Sequence, residues 1–237
     1  MIDISQSILN KFIVREDYLE WIKKETAIIA YLDLSNMFYW QDVLGWKFRV
    51  KDIVEQLKSF PNMKEVKIYY GKNELNEEEK IKSDVMQKRL LATGATLRTK
   101  RVKFIKKTIE EAILIKRSTR SLFNQDATDK LISLVEEIKK IKSTVEEPKC
   151  NFDVEMAMDI IDDAEKISAI MLFSGDSDMV APLERLKIKS KRICVVGVRN
   201  MVAGELHRVE NKYFNFGQFY NGKRYYKSEN PAFGGTA

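Results

Sequence analysis

Cysteine and histidine are almost absent from this chain, and each scarcity closes off a chemistry. Cys150 and Cys194 are two cysteines in 237 residues, without a paired spacing. Neither a disulfide framework nor a thiolate zinc site is expected, and a reducing cytoplasm fits that usage. The single histidine, His207, excludes a histidine-rich metal site. Its setting in Glu205-Leu206-His207-Arg208 reads as a helix surface, and no other base stands ready to activate a cysteine. No apolar run approaches the roughly 20 residues that span a bilayer. Met1 to Tyr18 already carries Asp3, Lys11, Arg15, Glu16 and Asp17, unlike a signal peptide, so no membrane contact is expected. Glycine-rich phosphate cradles are missing too, since Gly71-Lys72 and Gly94-Ala95-Thr96 lack the spacing of a P-loop or dinucleotide fingerprint. There is no internal repeat or low-complexity tract.

What the chain does have is charge, unevenly placed. The net charge of +6 hides a basic middle: Lys80 to Arg120 holds 13 Lys or Arg against Asp84, Glu110 and Glu111, a local +10. The other 28 basic and 32 acidic residues leave −4 elsewhere. A polyanion-binding region on a mildly acidic body accounts for that asymmetry, although a lysine-rich composition produces such segments without function as well.

Strand-like and helix-like segments alternate along the chain. An amphipathic opening places Ile8, Leu9, Phe12 and Ile13 at helical spacing, within an N-terminal helical extension of residues 1–25. Ala27 to Leu32 is an unbroken apolar run ending at Asp33, as a strand buried on both faces would be. Val50 to Leu57 reads as a helix, Val66 to Gly71 as a strand, Glu77 to Ala92 as a helix, and Thr96 to Phe104 as a strand near the sheet edge. Residues 106–148 depart from this rhythm, with a second basic cluster and then Leu131, Leu134, Val135, Ile138 and Ile141 at helical spacing. They read as a helical insertion that covers part of the sheet, clamps a ligand or makes a homo-oligomer contact. Phe152 to Glu165 is a helix, Ile167 to Phe173 a central strand, Val180 to Leu186 a short helix and Arg192 to Gly197 a buried strand. Tyr213 to Phe216 adds an edge strand, and residues 218–237 form a tail with a mobile composition. The alternation predicts an α/β sandwich of three layers around a mainly parallel sheet, with the main domain at 26–217.

Two of these strands end in acid. Ile170-Met171-Leu172-Phe173 runs into Ser174-Gly175-Asp176-Ser177-Asp178, and the first strand runs into Asp33-Leu34-Ser35-Asn36. In a parallel sheet both ends lie on one rim, and ligands bind where the strand order reverses. Clustered aspartates suit Mg²⁺ or Mn²⁺, hard cations that take carboxylate oxygens and serve phosphodiester hydrolysis by neutralising charge and activating water. A third source is the helix from Phe152, where Asp153 and Asp159 lie about 9 Å apart along the axis and about 120° apart around it. One ion cannot take both. Asp153 at the helix start is either a ligand or a cap that favours the end dipole, and Asp159 either supports the ligands from behind or faces solvent. Asn36 could orient a water or hold the scissile phosphate, or with Ser35 could cap the next helix. Ser174 could bond a carboxylate or shape the turn at Gly175.

Three blocks resemble the NYN domain family, PIN-like ribonuclease relatives that include LabA-type bacterial proteins. They are Tyr31-Leu32-Asp33-Leu34-Ser35-Asn36, the stretch from Lys149 through Asp153 to Asp159, and Phe173-Ser174-Gly175-Asp176-Ser177-Asp178-Met179 with Pro182-Leu183. The resemblance spans residues 26 to 217, and Ser-Gly-Asp-x-Asp is its most specific part. It implies a Rossmann-like PIN-type fold with a metal site of Asp33, Asp153, Asp176 and Asp178, assisted by Asn36. The expected function is then a Mg²⁺- or Mn²⁺-dependent endoribonuclease. Lys88, Arg89, Arg98, Lys100, Arg101 and Lys103 would hold the RNA backbone, and Tyr39 or Trp40 would stack bases. The alternatives are an RNA-binding regulatory protein without useful turnover, and a phosphatase or DNA nuclease using the same acids.

Overall fold

The computed structural model describes residues 16–108, 125–141 and 144–226. The amphipathic opening at Ile8 to Ile13 and the tail beyond residue 226 lie outside them. The body is a six-stranded parallel sheet: β1 (Ile28–Asp33), β3 (Met63–Lys72), β4 (Thr96–Arg101), β7 (Ala169–Phe173), β8 (Arg192–Gly197) and β9 (Lys212–Asn215). Its spatial order is β4-β3-β1-β7-β8-β9, with every neighbouring pair parallel. The chain therefore builds outward from β1 to one edge, returns, and builds outward from β7 to the other. The reversal falls between β1 and β7, which pair from Ile28↔Ala169 to Leu32↔Phe173.

Because side chains alternate across a strand, each central strand feeds two cores. Ala30, Leu32, Val66, Ile68, Met171, Phe173, Cys194 and Val196 face one side. There they meet α1 (Glu16–Lys24), α2 (Leu34–Leu44), α3 (Val50–Lys58) and α9 (Phe216–Phe219). Ile29, Tyr31, Tyr69, Ile170, Leu172, Ile193 and Val195 face the other. There they meet α6 (Asp153–Asp162), α7 (Val180–Ile188) and α8 (Leu206–Val209). β1 and β7 are buried along their whole length, as their unbroken apolar runs require. Helix α1 buries Tyr18, Trp21 and Ile22 in the first of these cores, so residues 16–24 complete that layer instead of extending from it. Helix α2 ends at Gly45, whose φ of 71° is the left-handed cap a Cβ would strain. A two-stranded antiparallel pair of β2 (Trp46–Lys47) with β10 (Tyr225–Tyr226) closes that end.

Helix α4 (Glu77–Leu91) buries only Ser83 and Leu90. Strand β4 at the sheet edge is almost wholly exposed, which matches its polar alternation. The insertion differs from a purely helical one. β5 (Lys103–Thr108) and β6 (Thr144–Lys149) form an antiparallel arm of their own, in register from Lys103↔Lys149 to Thr108↔Thr144. Helix α5 (Gln125–Ile141) lies between the two strands in the chain. Lys106 stands opposite Glu146, so the cross-strand charges are complementary. No described helix is long and apolar enough to cross a membrane.

Candidate functional site

The acidic turn begins where β7 leaves the sheet. Ser174, fully buried, donates its hydroxyl to Asp33 Oδ2 at 3.3 Å and accepts the Asp176 amide at 3.2 Å. Asp176 caps the following single turn of 3₁₀ helix, Ser177–Met179, by accepting the Asp178 amide at 3.0 Å. Gly175 donates its amide to Asn36 Oδ1 at 3.1 Å. A Cβ there would lie 1.9 Å from the Met201 carbonyl oxygen, so only glycine lets the loop after β8 pack this close. Asp176 and Asp178 are thus set by backbone geometry at the reversal of strand order.

Asp153 reaches them from α6. The helix start has no side-chain cap. Asn151 Oδ1 instead accepts the Asp153 amide at 2.7 Å. The Asp153 carboxylate faces the turn, and one oxygen each from Asp153, Asp176 and Asp178 lies within 4.8 Å of the others. No Lys or Arg among the described residues pairs with any of the three. Burial first, then the Asp176 and Asp178 charges, push the Asp153 carboxyl above its ordinary range. Three carboxylates at this spacing repel one another, and a cation removes that cost. An octahedral Mg²⁺ or Mn²⁺ with oxygens at about 2.1 Å sets its ligands about 3 to 4 Å apart, a spacing this group can adopt. The donor set, all hard oxygen and with waters able to complete it, fits such an ion.

Asp33 lies beside the trio but is engaged differently. It is the last residue of β1 and caps α2. Oδ1 accepts from Ser35 Oγ at 2.6 Å and from the Asn36 amide at 3.2 Å, while Oδ2 accepts from Ser174. Burial pushes its carboxyl up, those bonds oppose the shift, and the Asp176 charge adds to it. Asn36 joins Gly175 to Trp40, whose Nε1 donates to the same Oδ1 at 3.0 Å; it braces the acidic turn against α2. Trp40 is fully buried, so it is core and no stacking platform, whereas Tyr39 is 67% exposed.

Asp159 does not join the trio. It sits under the sheet's other half, accepting from Tyr69 Oη at 2.7 Å and from Arg98 at 2.8 and 3.2 Å. Next to it Asp163 takes Lys67, Tyr31 and Lys166. Burial pushes both carboxyls up, and the donors around them outweigh it and hold them low. Arg98 is therefore tied to Asp159, Lys100 to Glu155 at 2.5 Å and Arg101 to Glu74 at 3.1 Å. Of the six basic residues expected to meet RNA, Lys88, Arg89 and Lys103 are exposed and make no such ion pair with another described residue. His207 lies on α8, bonded to Glu210 at 2.9 Å, a surface position as its sequence setting implies. The Lys67–Asp163 network escaped the sequence reading. Its signal was a lysine inside the apolar strand Val66-Lys67-Ile68, a charge that must find a partner when buried.

Comparison with known proteins agrees with this architecture. The family model for the NYN domain matches residues 116–217. The low amplitude and bright protein LabA of Synechococcus elongatus is 24% identical over 194 residues, covering 81% of this chain and 84% of its own. A crystal structure of a protein of unknown function from Vibrio parahaemolyticus matches 80% of this chain and 93% of its own. That match has a TM-score of 0.52 and 16% identity, and establishes the shared fold. Both acid-bearing elements of the trio, the start of α6 and the turn after β7, lie inside the segment that matches the NYN domain model.

Proposed function

We propose that the protein is a metal-dependent endoribonuclease whose ion is held by Asp153, Asp176 and Asp178. The observation that carries this reading is the convergence of three carboxylates from two separate elements at the reversal of strand order, a place where α/β sheets bind ligands. When bound, Mg²⁺ or Mn²⁺ would neutralise charge on the phosphate and lower the pKa of an attacking water. The chain's own residues set the geometry. Ser174 and Asn36 lock the acidic turn to α2, and Asn151 fixes the start of α6. Asp33, the fourth acid of the sequence reading, is joined to the Asp176 backbone through the Ser174 hydroxyl. Its oxygens accept from Ser35, Asn36 and Ser174. Lys88, Arg89 and Lys103 would take the RNA backbone, with Tyr39 offering an exposed ring.

The test is cleavage of a mixed single-stranded and structured RNA with Mn²⁺, Mg²⁺ or EDTA. Asp176→Asn is expected to abolish metal-dependent cleavage, a loss of at least about 100-fold for a group acting on the reacting phosphate, while RNA binding on filters stays intact or tightens. Equal loss of binding and cleavage would sink the ligand assignment. A second reading is favoured by the engagement of Asp33 and of Arg98, Lys100 and Arg101, which leaves fewer free groups than the sequence promised. In it the protein binds RNA for regulation and turns over nothing. Salt-sensitive RNA affinity without cleavage in either metal would decide for it.

A further inference from the structure

Lys100 stands on the edge strand β4, yet its ammonium is tied to the first turn of α6. Nζ donates to the Asn151 carbonyl at 2.9 Å, pairs with Glu155 Oε1 at 2.5 Å and lies 5.4 Å from the centre of the Phe152 ring. These three partners bracket Asp153, and Asn151 carries the link onward by accepting the Asp153 amide. The restraint is needed there. Asp153 comes from a different element than Asp176 and Asp178, it is repelled by both, and its helix begins without a side-chain cap. The chain just before it, ending at Lys149, belongs to the β5–β6 arm, which pairs with itself and not with the main sheet. The main sheet holds this helix start by packing, with Phe152 against Tyr69 of β3 at 5.7 Å between ring centres, and by the polar link that Lys100 supplies.

We propose that Lys100 is a positioning residue for the metal site, clamping residues 151–155 so that Asp153 meets Asp176 and Asp178. The inference rests on the reading of that trio as a metal site. Its sign separates it from plain electrostatics. A lysine beside the helix start that carries Asp153 repels an incoming divalent cation, so neutralising it would tighten binding if charge alone mattered. If Lys100 acts by placing Asp153, neutralising it weakens binding. Supporting groups behind metal ligands change affinity by roughly 10- to 100-fold.

The experiment is titration of the whole protein with Mn²⁺, following loss of the free-ion EPR signal, alongside melting in EDTA. Lys100→Met is expected to weaken Mn²⁺ binding about 10-fold with little change in melting, because the ion pair it loses is nearly half exposed. Lys100→Arg, which keeps charge and donors, is expected to restore most of the affinity. Asn151→Ala removes the next link and is expected to act in the same direction, with the double variant less than additive. It also reports on the clamp should Lys100→Met fail to fold. Unchanged or tighter Mn²⁺ binding by Lys100→Met and Asn151→Ala would overturn the positioning role while leaving the metal site standing. A wild-type protein that binds no Mn²⁺ would overturn the metal reading, and this inference with it.

Discussion

Gly175 shows how much of the site depends on one missing Cβ. Its amide bonds Asn36 on α2 and its carbonyl accepts the Ala203 amide at 3.0 Å, so the backbone is held from both sides. A methyl group would sit 1.9 Å from the Met201 carbonyl oxygen, which is backbone and cannot swing away. Gly175→Ala is expected to cost about 1 to 3 kcal/mol, the usual range for overpacking, and to displace Asp176 and Asp178. Urea denaturation of this variant, with Gly204→Ala as the control whose Cβ meets nothing within 4 Å, checks it. A Gly175 variant as stable as the control would show that the loop yields. The Ser-Gly-Asp-x-Asp string is plain in the sequence, and so is its place at a strand end. Its dependence on Met201 is not, because that contact joins two loops brought together by the β7–β8 pairing.

Helix α6 carries two acid sets facing different surroundings, as six positions on an α-helix require. Asp153 meets the acidic turn, while Asp159 and Asp163 lie against Lys67, Tyr69, Tyr31 and Arg98 under β1 and β3. The helix and the separation of its acids were legible from spacing alone; the partners of the second set were not, since Lys67, Asp159 and Asp163 are joined only by folding. Lys67→Met takes one cation from two buried carboxylates that keep Arg98 and Lys166, a loss expected to cost about 1 to 3 kcal/mol. The pH dependence has a definite sign. Both carboxyls are held below their unfolded value by their donors, so their contribution is present above the ordinary carboxylate pKa of about 3.9 and is lost as pH falls through the lower folded value. The gap between wild type and Lys67→Met is therefore expected to be largest at neutral pH and to narrow as the medium is acidified. Urea melts across that range test it, and a gap independent of pH would show that Lys67 acts by packing.

Alternation of apolar runs with helical stretches announced a parallel sheet, and the acids at two run ends announced one rim, because chain connectivity in such folds puts all strand ends on the same edge. The arm was hidden for a physical reason. Lys103 to Thr108 continues the polar alternation of β4, and Thr144 to Lys149 carries two glutamates and Pro148, so neither looks like half of a ribbon until they pair. Their register now offers a test of where the polyanion binds. Lys103 faces Lys149 across the arm's foot, so residues 104–148 can be replaced by a two-residue Asn-Gly turn that suits antiparallel strands. The six-stranded sheet makes no ladder with the arm, and the shortened protein is expected to melt cooperatively and to keep its Mn²⁺ affinity. The excised stretch holds nine basic residues, Lys106, Lys107, Lys116, Arg117 and Arg120 in its first half and Lys130, Lys139, Lys140 and Lys142 in its second. If these meet RNA, affinity falls and the dependence of log K on log salt flattens by about 0.7 for each phosphate that the shortened protein no longer neutralises. Filter binding over a salt series reads both quantities. An unchanged slope would place the RNA on Lys88, Arg89 and Lys103 near the body, and would leave the arm without a part in nucleic-acid binding.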